Sequence, residues 1–210
     1  MKKPQPKPAA KNEKVIQLKI TLAGSKPPIW RRVQVRESMH LGDLHRVIQI
    51  AMGWEDCHLH LFQAGDRRFS LFSDGDDAPA EEEDSRTVSL RALGLVRKGR
   101  KFTYIYDFGD DWLHQIEVEA AQPADPGAFY PICVTGRKAC PPEDCGGVWG
   151  YYNLLAAVKD TKHPQHVELR EWLEESFDPD LFDVASVNQR LRATFKAMEP
   201  VSGQGNLFRA

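Results

Sequence analysis

Three thiols fall within thirteen positions of one proline- and glycine-laden stretch: Cys133, Cys140 and Cys145, between Tyr130 and Tyr152. They are separated by six and four residues, which is not the Cys-x-x-Cys pairing of a strong zinc motif. Three soft ligands in an irregular segment could still hold an ion such as zinc, and a metal would order a loop with few apolar anchors. A fourth ligand is available in His114, or in His58 or His60, which would share one side if they sit two apart on a strand. The competing reading is that the thiols are small buried residues and His114 a core histidine.

A second set is acidic. Asp107, Asp110 and Asp111 surround a glycine at the expected tip of a hairpin, and with Glu143 and Asp144 they could hold a divalent cation or a partner. Turn chemistry, with Asp and Gly setting the bend, explains the same residues without an ion. The Asp-Phe-Gly within it does not make a kinase, because the glycine-rich loop and the His-Arg-Asp loop are both missing. A third set is basic: Arg31 and Arg32 beside Trp30, then Lys98, Arg100 and Lys101 in a turn that begins at Arg97. If they converged they could contact a nucleic-acid backbone. Against that, the net charge is −2 and Asp74–Asp84 is strongly acidic, so no broad basic field exists. No phosphate-cradling, acyl-transfer or metalloprotease pattern appears.

The elements that must position these residues are legible from periodicity. Ile16, Leu18, Ile20 and Leu22 alternate with polar residues, and Val33 and Val35 follow on a second strand, which together predict a hairpin. Leu41, Leu44, Val47, Ile48 and Ala51 predict an amphipathic helix that stops at Gly53. His58–Phe62 reads as a third strand, continued by residues 67–72. Phe102, Tyr104, Tyr106 and Phe108 on one strand, with Trp112, His114, Ile116 and Val118 on the next, predict a hairpin with an aromatic face. Helices are expected over Val148–Lys159, from Pro164 to about Glu175, and over Asp183–Phe195. Strands followed by helices give an α+β fold, with a mixed or antiparallel sheet, β-grasp-like in its opening, one early helix and a C-terminal helical cluster. The expected organisation is a flexible tail over 1–13, one domain over 14–196 and a second tail over 197–210. Within the domain, 73–86 is an exposed acidic loop and 130–147 a Cys/Pro/Gly loop without strand or helix.

The 210 residues suffice for one core, and no apolar run approaches the length of a membrane span. The lysine-bearing N-terminus lacks the apolar run of a signal peptide, so a cytoplasmic protein with reduced thiols is expected.

Val15–Leu22 with Lys26-Pro-Pro-Ile-Trp-Arg-Arg-Val, the helix Leu41–Trp54, Tyr104-Ile-Tyr-Asp-Phe-Gly-Asp-Asp-Trp-Leu-His and Ala139-Cys-Pro-Pro-Glu-Asp-Cys-Gly-Gly-Val-Trp-Gly-Tyr carry a resemblance. Over about residues 14–195 the chain resembles the family of the third open reading frame of a root-inducing plasmid. Its members are also labelled insertion-element passengers of "resolvase" type. The resemblance implies a link to plasmids and mobile elements but no reaction. The nucleophilic serine among arginines and the basic helical module of a serine recombinase are not found. The readings that follow are a non-enzymatic accessory protein whose Cys133–Trp149 loop and Asp107–Trp112 hairpin tip bind a partner, a metal-dependent enzyme or metal-binding protein using the thiols, and a nucleic-acid-binding module. The partner is a protein or a nucleic acid.

Overall fold

A computed structural model describes residues 13–72, 81–173 and 177–198. Its elements run β1 (Lys14–Leu22), β2 (Trp30–Arg36), α1 (Leu41–Met52), β3 (His60–Ala64), β4 (Arg67–Ser70), β5 (Glu82–Asp84), β6 (Lys101–Tyr106), β7 (Trp112–Pro123), β8 (Ile132–Arg137), α2 (Gly147–Lys159), α3 (His166–Trp172) and α4 (Val184–Ala197). This is an α+β fold: one eight-stranded sheet, ordered β5-β4-β3-β6-β7-β1-β2-β8, with one early helix and a late helical cluster. All pairings are antiparallel except β4 with β5, so the sheet is mixed.

The period-two faces fold as expected. Ile16, Leu18 and Ile20 on β1 are fully enclosed, as are Tyr104 and Tyr106 on β6 and Trp112, His114, Ile116 and Val118 on β7. Tyr104 sits opposite His114 and Tyr106 opposite Trp112. Onto this face α1 lays Leu41, Leu44, Val47, Ile48 and Ala51. It ends where Gly53 turns left-handed, φ 109°, and donates to Gln49 O at 2.8 Å, the stop that only glycine takes without strain.

Several expectations change. Residues 73–80 of the acidic stretch lie outside the described residues, but Glu82–Asp84 is a strand, not a loop. Its carboxylates are met by arginines: Arg67 on Glu83, Arg68 on Glu82 and Arg86 on Asp84. Ile132–Arg137 is also a strand, because the prolines and paired glycines that break regular structure cluster after Ala139. Its outer side is closed by α4, where the Asn188 amide accepts from Cys133 N at 2.7 Å and donates to Cys133 O at 2.8 Å. Phe108 breaks from its expected face and is 57% exposed. α3 starts at His166 rather than at Pro164, and 174–176 lie outside the described residues. Asp183 caps α4 as expected, accepting from Ala185 N and Ser186 N. The expected tails fall largely outside the described residues, yet Glu13 is held, pairing with Arg36 at 2.7 Å. No described helix is long and apolar enough to cross a membrane.

Candidate functional site

Past Gly53 the chain crosses the end of β6, and there three segments meet: Trp54–His58, the β6–β7 tip and the Cys140–Gly146 loop. Tyr106, the last residue of β6, ties them. Its hydroxyl accepts from Cys57 N at 2.9 Å and His58 N at 3.3 Å, and donates to Glu143 Oε1 at 2.9 Å. Burial, then that bond to a carboxylate, raises the phenol pKa above its ordinary value. Glu143 Oε1 also accepts from Glu55 N at 2.9 Å, and Trp54 Nε1 donates to Pro141 O at 3.0 Å. On the tip side, Gly146 N donates to Asp110 Oδ2 at 3.1 Å. Gly147 lies so close to the tip that a Cβ there would stand 2.4 Å from Asp110 O, and its φ is +67°. The loop is thus held against the β-ribbon by hydrogen bonds and a glycine contact. Gly147→Ala is expected to cost about 2 kcal/mol from the left-handed backbone alone. It should also speed amide exchange at Gly146, and unchanged exchange would show that the contact does not hold the loop.

At this junction His58 Nε2 lies 3.2 Å from Asp144 Oδ1 and 3.8 Å from Asp107 Oδ2. The three ligand atoms lie within 4.8 Å of one another, the one such group of His, Cys, Asp or Glu among the described residues. Asp107 is buried, and its Oδ1 accepts from Gly109 N at 2.8 Å, which turns Oδ2 toward His58. Beside the group opens a cavity of about 610 Å³. Its walls are Met52, Trp54, Trp172 and Phe177, and its polar lining includes Glu55, Glu143, Asp144 and His58, with no Lys or Arg among the described residues that line it. Cys57 is on its rim, where desolvation and then the carboxylates of Glu143, Glu55, Asp144 and Asp56 push the thiol up, so it stays protonated.

The expected thiol–imidazole set is not brought together. Cys133 is enclosed on β8, with burial pushing its thiol up to about 11, and Cys145 is pushed to about 12 by the same cause. All four cysteines are free. His114 is wholly buried edge-on to Trp54, 5.4 Å between centroids, and neither ring nitrogen has a hydrogen bond. Burial lowers its pKa to about 4. His58 and His60 do not share a strand face, because β3 begins only at His60. His60 instead stacks on His45 at 3.6 Å, and burial, then His45, lowers it to about 3. Of the acidic set, Asp107 joins His58 and Asp144, while Asp110 serves the loop amide and Asp111 N donates to Asp107 O.

The basic set does not form one surface either. Arg31 is 1% exposed: Nε donates to Ala51 O at 2.7 Å, Nη1 to Trp30 O and Arg137 O at 3.0 Å, and the guanidinium lies 4.1 Å from the Phe182 ring centre. Arg32 is bidentate to Glu119. Lys101 pairs with Glu117 at 3.5 Å, and Lys98 and Arg100 are exposed in the turn before β6, at the strand end away from Tyr106. Sequence reasoning missed Glu143, Tyr106 and Trp54 as the clamp. The available signal was a lone Glu after a rigid Pro-Pro, opposite an aromatic strand end.

The sequence model described as plasmid pRiA4b ORF-3-like protein matches residues 14–186. The uncharacterised protein y4hQ of Sinorhizobium fredii (strain NBRC 101917 / NGR234) is 40% identical over 163 residues, covering 77% of this chain and 82% of its own length. A crystal structure of a protein of unknown function from Methanosarcina mazei Go1 is similar with TM-score 0.74 and 37% identity, covering 83% of this chain and 97% of that one.

Proposed function

The chain belongs to the family of plasmid pRiA4b ORF-3-like proteins, and from that starting point we propose that it is a plasmid-associated accessory protein that works as a binding module rather than an enzyme. Its working face is the junction of the hairpin tip with the Cys140–Gly146 loop, and its ligand seats in the adjoining cavity. The observation that carries this reading is the cavity itself: aromatic and aliphatic walls, several carboxylates, and no Lys or Arg among its described lining residues to receive an anion. Such a lining favours a ligand with an apolar body and a positively charged end, such as an aromatic amine or a Lys- or Arg-bearing peptide.

Thermal unfolding in the presence of aromatic amines and short Lys- and Arg-containing peptides tests this. At about a hundredfold excess over Kd, a ligand should stabilise the fold by about 2.7 kcal/mol, seen as a rise of several degrees in Tm. Trp172→Ala and Glu55→Gln alter exposed wall and rim positions and should abolish the rise. A panel with no active member, or an undiminished response in Trp172→Ala, refutes the reading.

A further inference from the structure

The geometry points to His58, Asp107 and Asp144 as the ligands of one divalent transition-metal ion at the mouth of the cavity. The spacing argues for it. Metal–ligand bonds of about 2.1 Å in tetrahedral array put neighbouring ligand atoms about 3.4 Å apart. The observed separations, 3.2 Å to Asp144 and 3.8 Å to Asp107, bracket that value. Neither contact is a hydrogen bond: the one to Asp107 is too long, and the one to Asp144, though within reach, is not aligned as one. His58 Nε2 is shielded from solvent and makes no hydrogen bond at all. The Asp107 side chain is 11% exposed, and only its Oδ1 is hydrogen-bonded; Oδ2 is directed at His58 beyond hydrogen-bond reach. Two carboxylates thus face each other with no Lys or Arg paired to either among the described residues. A divalent cation supplies the missing charge and the missing partner together.

One imidazole and two carboxylates suit Mn²⁺, Co²⁺ or Zn²⁺ better than the all-oxygen preference of Mg²⁺ or Ca²⁺. The bond from Gly109 N to Asp107 Oδ1 fixes the carboxylate as an outer partner would in a built site. Three protein ligands leave coordination positions open, and His58 and Asp144 both line the cavity, so those positions are reachable from it. The inference rests on the binding face proposed above and names an inorganic component of it. Glu55 and Glu143 remain to hold an organic cation, so the two ligands are compatible.

Mn²⁺ titration of purified, chelator-washed protein, followed by the EPR signal of free ion, reads the site without any organic ligand. One equivalent per chain is expected, displaced by equimolar Zn²⁺ and not by a tenfold excess of Mg²⁺. Asp144→Asn, at an exposed position that should leave folding intact, should weaken Mn²⁺ at least tenfold, and His58→Gln likewise. Uptake below a tenth of an equivalent, or Asp144→Asn binding as tightly as the wild type, overturns the site. The amine panel repeated with EDTA separates the two claims. A Tm rise that persists without Mn²⁺ uptake sinks the metal and leaves the face, whereas Mn²⁺ uptake with an inactive panel sinks the organic ligand and leaves the metal.

Discussion

Arg31→Ala should lower the free energy of unfolding by about 4 kcal/mol, because three carbonyls, that of Ala51 buried, lose their donor and a cavity opens. Those carbonyls belong to Ala51 at the end of α1, Trp30 on β2 and Arg137 on β8, so one guanidinium joins the helix to two strands. No described carboxylate pairs with it. Its charge is met by the carbonyl end of α1 and by the Phe182 ring face. Burial lowers its pKa, partly offset by Cys140 and Cys133 nearby, and it stays charged. Arg31→Lys should recover little, since an ammonium cannot reproduce the planar fork, and Arg31→Met should fill space without feeding the carbonyls. Urea unfolding midpoints decide it. Arg31→Met as stable as the wild type would mean that packing alone matters there.

Stability should fall by about 2 kcal/mol per pH unit between pH 6.5 and 4, well before most carboxylates titrate. His60 and His114 are the cause, with folded values of about 3 and about 4 against an ordinary 6.5. Below pH 6.5 the unfolded chain takes up a proton on each ring that the folded core refuses, so acid favours unfolding and the full contribution is present only above that pH. The depressed carboxylates of Asp56, Glu37 and Glu119 act in the same direction but at lower pH, below their ordinary range. His114→Phe should roughly halve the slope across pH 4–6.5 in denaturant titrations. A wild-type stability that is flat across that window contradicts the burial of both rings as neutral groups.

The regular elements were legible because their cause is local. Alternation in β1, β6 and β7, the period of α1 and the Gly53 stop each follow from a few adjacent side chains and one buried face. The site was legible in its members and not in its grouping. Asp107 and Asp144 stood together in the acidic set, whereas His58 stood apart among the thiol–imidazole candidates. What re-sorts them is left-handed backbone at non-glycine positions: Asp56 at φ 61°, Asp107 at 57° and Asp144 at 56°. At Asp107 this reverses the strand alternation, so the carboxylate turns inward at 8% exposure and Phe108 turns out. Periodicity holds only while the chain stays extended, and these kinks depend on contacts between segments far apart in sequence.

The two margins of the sheet are finished in different ways. At one, β5 is only three residues long and its side chains are taken up in ion pairs with Arg67, Arg68 and Arg86, which leaves little edge for a visiting strand. At the other, the Asn188 amide occupies both backbone groups of Cys133, standing in for the neighbour that β8 lacks. A single side chain on a helix therefore terminates the ladder, and the polypeptide is protected from end-to-end polymerisation without closing into a barrel.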